Sequence, residues 1–145
     1  MLNIIDEEKP DAVLHLGDLT EDAFDIRSVY PDLPVYGVRG NNDWGSDEED
    51  DRIVCAEQVR IFMTHGHLYS VRRGTKALEQ RARQNHCSAA LYGHTHEAEI
   101  TRERDMLIAN PGSIGLPFGA PPSYLRLTVE GEHISPELVY LNRDS

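Results

Sequence analysis

The chain has 145 residues and a formal net charge of −11, and this length predicts one compact domain with a buried hydrophobic core. A strongly acidic surface repels the phosphate backbone of nucleic acid, so we expect no DNA or RNA partner. No apolar run approaches the ~20 residues of a membrane span, and the N-terminus has no basic or long apolar leader. We therefore expect a single cytoplasmic domain over residues 1–145 without membrane contact.

Short apolar runs that end in polar turns dominate the first two thirds of the chain, a pattern typical of buried strands. AVLHL at 12–16 ends in GDLTED, and PVYGV at 34–38 ends in RGNND. The acidic run SDEEDD at 46–51 is interpreted as a solvated loop. VRIFMT at 59–64 then ends in HGH, and AALY at 89–92 ends in GHTH. We expect four buried strands, each followed by a polar turn.

The last two of these strands are separated by residues 75–85, TKALEQRARQN, which have a helical composition and apolar spacing. The order strand, helix, strand predicts a parallel crossover. Beyond residue 96 the pattern changes to alternating segments at 98–110 and 123–141, and the second contains Glu-Gly between two strand-like runs, which indicates a hairpin. The elements together predict an α/β fold with helices outside packed sheets and an antiparallel C-terminal part.

Each of the four polar turns carries side chains that can bind metal ions, namely Asp18, Asn41, His65 with His67, and His94 with His96. Each motif alone is weak and also fits an ordinary polar turn. The carboxyl ends of parallel strands lie at one edge of a sheet, so we expect the four turns to converge. If the chain is extended there, His94 and His96 face one cavity and Thr95 faces out. Imidazole with carboxylate and amide oxygens favours Mn, with Fe, Ni or Zn as alternatives.

The ordered set of motifs resembles one known family. GD at 17–18, GNND at 40–43, THGH at 64–67, GHTH at 93–96 and NPGS at 110–113 are similar to the motifs of the calcineurin-like metallophosphoesterase superfamily, in particular its YfcE-type bacterial and archaeal phosphodiesterase branch. The resemblance covers nearly the whole chain. It implies a four-layer α/β/β/α sandwich with a dinuclear centre of divalent metal ions and a small phosphoester as substrate, and it is compatible with a homo-oligomer.

The resemblance also implies a role for each matching residue. Asp18 would bridge two metal ions, Asn41, His65 and His94 would complete one metal site, and His96 would serve the other. Asp18, Asn41, His65 and His94 are therefore the candidate catalytic residues. The implied reaction is the attack of a metal-bound hydroxide on a small-molecule phosphodiester.

The sequence departs from the family pattern in two places. The family's opening strand ends in an Asp-x-His motif that is absent here, so we expect the first strand and most of the first helix to be missing, through a shortened chain or mis-set start codon, an omitted segment, or a natural short form. Asn42 stands where many phosphomonoesterases of the superfamily have a histidine acid, which favours diesters with good leaving groups. The alternative function is a catalytically impaired scaffold or interaction module with the same fold, like the related retromer subunit.

Overall fold

A computed structural model describes residues 2–16, 26–40, 50–69, 71–95, 97–112 and 121–141. Helices α1 and α2 span Leu2–Glu8 and Lys76–Gln84, residues 26–29 are also helical, and short 3-10 turns cover His67–Tyr69 and Val71–Arg73. The strands in these ranges are β1 (Val13–His15), β2 (Val35–Gly37), β3 (Asp51–Ala56), β4 (Val59–Thr64), β5 (Ala89–Leu91), β6 (Glu99–Glu103), β7 (Met106–Asn110), β8 (Ser123–Glu130) and β9 (His133–Tyr140). None of the helices in this part of the chain is long and apolar enough to cross a membrane.

The described strands form one five-stranded sheet and two smaller sheets. β1 and β2 pair in parallel, and β8 and β9 form an antiparallel hairpin. The five-stranded sheet has the order β3-β4-β5-β7-β6. Its central strands β4, β5 and β7 run parallel, while β3 and β6 pair antiparallel at the two edges. The connection from β4 through α2 to β5 is the parallel crossover that the sequence predicts.

The central strands of the five-stranded sheet are buried on both faces. Met106, Leu107, Ile108 and Ala109 of β7 are each at most 2% exposed. Successive side chains of a strand point to opposite faces, and accordingly Leu107 and Ala109 join a core shared with β1, β2, β8 and β9, while Met106 and Ile108 pack with Leu78 of α2. Burial on both faces explains the continuous apolar sequences of β5 and of residues 106–109 in β7, and the expectation of an alternating segment at 98–110 is wrong for β7.

Helix α1 covers the other side of the small parallel sheet. Ile5 of α1 packs with Ile26 and with Val35 of β2 in a separate apolar cluster. The carboxylate of Glu8, at the end of α1, accepts hydrogen bonds from the Tyr124 hydroxyl at 2.6 Å and from Arg126 Nη2 at 2.6 Å. Helix α1 is thus attached both to β1–β2 and to the β8–β9 hairpin.

Most of the predicted elements correspond to observed ones. The strands predicted at 12–16, 34–38, 59–64 and 89–92 are β1, β2, β4 and β5, the predicted helix is α2, and the predicted hairpin is β8–β9. The α/β class is confirmed. The complete four-layer sandwich, the absence of a first strand and the extent of a single domain over residues 1–145 stay predictions.

The interpretation of residues 46–51 as a loop is wrong at its C-terminal end. Residues 46–49 lie outside the described residues, but Asp51 begins β3, where it pairs with Thr64 of β4. The side chain of Asp51 is not solvated throughout, because its Oδ2 accepts the Tyr69 hydroxyl at 2.5 Å and its Oδ1 is buried. An acidic residue is therefore used inside the fold, where a tyrosine hydroxyl compensates for part of its lost hydration.

Candidate metal centre

The carboxyl ends of β1, β4 and β5 meet at one place. His65 follows β4 directly and is 1% exposed, and its Nδ1 lies 2.8 Å from the carbonyl oxygen of Leu16, the residue after β1. The Gly93 amide, just beyond β5, donates to the carbonyl oxygen of His65 at 2.9 Å. A Cβ at Gly93 would be 3.3 Å from the Leu16 oxygen, so the close approach of these three segments favours a residue without a side chain.

The contact with Leu16 fixes the protonation of the His65 ring. A carbonyl oxygen can only accept a hydrogen bond, so the proton of this contact lies on Nδ1 of His65, and in the neutral ring Nε2 then carries the lone pair that can bind a metal ion. That Nε2 lies 3.2 Å from Nδ1 of His94, and the two rings are nearly perpendicular, with an interplanar angle of 74°. Two imidazole nitrogens, from the segments that follow β4 and β5, thus face each other at hydrogen-bond distance.

The distance between these nitrogens fits two ligands of one metal ion. Zinc–nitrogen bonds of about 2.0–2.1 Å at right-angled to tetrahedral geometry place two ligand nitrogens about 2.8–3.4 Å apart. The ring of His67 lies 5.3 Å from that of His65 and 6.2 Å from that of His94, between ring centroids. Its Nδ1 is buried and has no hydrogen-bond partner within the described ranges, and a buried polar atom of this kind is often the partner of an ion or ligand. The spacing of His65 and His94 therefore fits two ligands of a divalent ion.

The backbone at His94 differs from the extended stretch that we expected. His94 has a φ of +66°, and the Thr95 amide donates to the carbonyl oxygen of Gly93 at 2.7 Å, which closes a three-residue turn centred on His94. The expectation that Thr95 faces out is also wrong, because its hydroxyl accepts a hydrogen bond from the fully buried Asn110 at 2.9 Å. The histidine is presented by a turn and not by the period of a strand.

The segment after His65 is fastened to β3 through a tyrosine. Tyr69 donates its hydroxyl proton to Asp51 Oδ2 at 2.5 Å, and its amide donates to the carbonyl oxygen of Gly66 at 3.0 Å. Burial of the phenol, together with the hydrogen bond to Asp51, raises the pKa of Tyr69 to about 12. The phenol therefore stays protonated, and the turn that carries His67 stays attached to the edge strand.

Three of the five predicted metal ligands, Asp18, Asn41 and His96, lie outside the described residues, as does Asn42. Within the described ranges, no group of three or more His, Cys, Asp and Glu side chains is arranged to hold a metal ion. The structure thus brings together His65 and His94, and the rest of the ligand set stays a prediction. Asn110 was not among the predicted site residues, although the NPGS motif that begins with it at the end of a buried run was a signal for it.

Comparison with known proteins decides the family. Residues 1–132 match the model of the calcineurin-like phosphoesterase superfamily domain. The chain belongs to this family. The probable metallophosphoesterase YsnB of Bacillus subtilis is 32% identical over 128 residues, which cover 87% of this chain and 73% of that protein. Phosphodiesterase YfcE of Escherichia coli is 32% identical over 101 residues, which cover 61% of this chain and 49% of that protein. The resemblance drawn from the motifs is confirmed.

Solved structures agree on the fold of this calcineurin-like chain. A conserved protein of Streptococcus pneumoniae described as a predicted phosphoesterase has a TM-score of 0.81 and 26% identity, covering 95% of this chain and 79% of that one. Vacuolar protein sorting 29 of Cryptosporidium parvum has a TM-score of 0.85 over 99% of this chain and 82% of that one, and its 22% identity shows the fold alone. Membership of the family indicates a phosphoesterase that uses divalent metal ions.

Proposed function

We propose that this protein is a metal-dependent phosphodiesterase that hydrolyses a small-molecule phosphodiester with Mn²⁺ as the preferred ion. The observation that carries the proposal is the approach of His65 Nε2 to His94 Nδ1 at 3.2 Å, at the point where β1, β4 and β5 end. The family supplies the reaction class, and this pair of nitrogens supplies a place for the metal.

In the proposed centre, Asp18, Asn41, His65 and His94 would hold one ion, and Asp18 with His96 would contribute to a second. When bound, such ions activate a water molecule as the nucleophile and stabilise the charge that develops on the phosphoryl group. The residues of the chain orient the nitrogen atoms that would bind the ions. The Leu16 carbonyl keeps Nε2 of His65 available, and the turn at residue 94 keeps Nδ1 of His94 beside it.

Two features favour a small diester as the substrate. The net charge of −11 opposes the approach of a polymeric phosphate backbone, whereas one phosphoester group is attracted by a local metal charge. Asn42 has no proton to give to a poor leaving group, so esters whose leaving group departs without protonation should react fastest. The related YfcE is itself named a phosphodiesterase.

Hydrolysis of two aryl esters by the purified, Mn²⁺-loaded protein tests the proposal. Bis(p-nitrophenyl) phosphate should be hydrolysed faster than p-nitrophenyl phosphate. Loss of one imidazole ligand should lower the diester rate about 100-fold. A bound metal ion contributes several kcal/mol of transition-state stabilisation, and each 1.4 kcal/mol that is lost lowers the rate about tenfold. We expect this loss in His65→Ala and in His94→Ala, and an unchanged rate in His133→Ala, a change at an exposed histidine of β9.

Two results would contradict the proposal. If His133→Ala lost as much activity as His94→Ala, the effect would not come from the centre. If the Mn²⁺-loaded protein hydrolysed neither ester, the alternative of a catalytically impaired scaffold or interaction module would be favoured.

A further inference from the structure

Asn110, the last residue of β7, donates both of its described side-chain hydrogen bonds to residues beside His94. It is 0% exposed. Its Nδ2 donates to the carbonyl oxygen of Gly93 at 3.2 Å and to the hydroxyl of Thr95 at 2.9 Å. Its Oδ1 accepts the amide of Gly112 at 2.9 Å, which fixes the orientation of the carboxamide. The two residues that receive hydrogen bonds from Asn110 are the immediate neighbours of His94.

The conformation between those neighbours is one that a histidine rarely adopts. His94 has a φ of +66°, in the left-handed region that few residues other than glycine occupy. The hydrogen bond from the Thr95 amide to the Gly93 carbonyl spans a single residue, and a three-residue turn with positive φ at its centre belongs to the strained class of γ-turns. Such a conformation persists only where the surroundings determine it, and Asn110 contacts both sides of it.

We propose that Asn110 is a positioning residue of the metal centre, which acts by clamping Gly93 and Thr95 so that Nδ1 of His94 faces Nε2 of His65. This inference rests on the proposed function, because it takes His94 as a metal ligand. The hydroxyl of Thr95 extends the clamp, since it also accepts the Glu97 amide at 3.3 Å. One buried amide thereby fixes the start of the segment that follows β5.

Mn²⁺ affinity, measured by isothermal titration of the chelator-treated full chain well below its melting temperature, tests the inference. Asn110→Ala should weaken Mn²⁺ binding about 10- to 100-fold, the usual effect of losing a group that orients a metal ligand. Leu107→Ala is the matched control, because Leu107 lies in the same strand, is also 0% exposed and packs in the core between the sheets. Both changes should lower the melting temperature, but only Asn110→Ala should weaken Mn²⁺ binding. Equal weakening in both would mean that Asn110 has a merely structural role.

A second pair of variants tests the same clamp if Asn110→Ala does not fold. Thr95→Ser keeps the acceptor for Asn110 and should bind Mn²⁺ within about twofold of the wild type, whereas Thr95→Val has a similar shape without the hydroxyl and should bind about tenfold more weakly. Equal Mn²⁺ affinities for these two variants would overturn the positioning role. Failure of the wild-type protein to bind Mn²⁺ would instead overturn the metal centre itself.

Discussion

Replacement of Gly66 by alanine should disturb the metal centre through one identifiable clash. Gly66 lies between His65 and His67 and has a φ of +106°. A Cβ placed there would lie 2.9 Å from Cγ2 and 3.1 Å from Cγ1 of Val71. Gly74 offers a matched control, because its φ is +131° and a Cβ there would meet no atom within 4 Å. Both substitutions force a side chain onto an unfavourable backbone, and only the one at Gly66 adds a clash.

The two contributions can be given magnitudes. The unfavourable backbone should lower the free energy of unfolding by about 1–3 kcal/mol in both variants. Overpacking against Val71 should lower it by about 1–3 kcal/mol more in Gly66→Ala. For a chain of this length the difference corresponds to a melting temperature that is about 3–10 °C lower for Gly66→Ala than for Gly74→Ala. Mn²⁺ affinity should fall in Gly66→Ala alone, because the displaced backbone carries His65.

Urea unfolding and Mn²⁺ titration of both variants provide the assay, with a double variant to isolate the clash. Val71→Ala removes both methyl groups that a Cβ at residue 66 would meet, although this change in a buried residue is itself destabilising. In the Val71→Ala background, Gly66→Ala should therefore lower stability no more than Gly74→Ala does in the wild type. Equal stability and equal Mn²⁺ affinity of Gly66→Ala and Gly74→Ala would show that a side chain at residue 66 does not clash with Val71.

Three further predictions concern the rest of the fold. The hydrogen bond from Arg126 lowers the pKa of Glu8 below its ordinary value of 4.5. Because a lowered pKa stabilises the fold while the carboxylate is ionised, the wild type should be more stable than Glu8→Gln above about pH 4.5, and this advantage should shrink as the pH falls further. An advantage that persists in acid would contradict this prediction. Burial and Asp51 raise the pKa of Tyr69 to about 12. The protonated phenol should therefore stabilise the fold fully below the ordinary pKa of 10, and this stabilisation should be lost as the pH rises toward 12. When phenol absorbance is titrated, Tyr69→Phe should lack a step near pH 12 that the wild type shows, and not a step near pH 10. Leu107→Ala should lower the free energy of unfolding by about 2–5 kcal/mol in denaturant titrations, and a loss under about 1 kcal/mol would mean that this core position is loosely packed.

The sequence predicted β1, β2, β4 and β5 because each is a short apolar run, but it did not predict that β7 lies beside β5 and runs parallel to it. It did not predict β3 or the pairing of β6 with β7. The turns of these hairpins are Glu57-Gln58 and Arg104-Asp105, and Glu57, Arg104 and Asp105 have positive φ values of 52°, 48° and 69°. Turns of this kind normally carry glycine or asparagine, so the usual signal was absent. The acidic run at 46–51, which includes the first residue of β3, also favoured a loop over a strand at this point.

The candidate centre was predictable in its ligand types and not in its supporting contacts. The convergence of His65 and His94 follows from parallel strands that end at one edge, which the apolar runs indicate. The positive φ of His94 and the carboxamide that holds it depend on hydrogen bonds between residues 15 and 17 positions apart. No local sequence pattern encodes such contacts, because the residues that they join are far apart in the sequence.

The proposed metal centre requires that His65 and His94 bind the same metal ion. A crystal of the protein grown with Mn²⁺, with diffraction data collected at the manganese absorption edge, tests this claim most directly. An anomalous peak should lie at a bonding distance of about 2 Å from both Nε2 of His65 and Nδ1 of His94, and no such peak should be present in crystals of His94→Ala. Hydrolysis of the diester by a Mn²⁺-loaded protein whose anomalous peak lies away from these two nitrogens would contradict it.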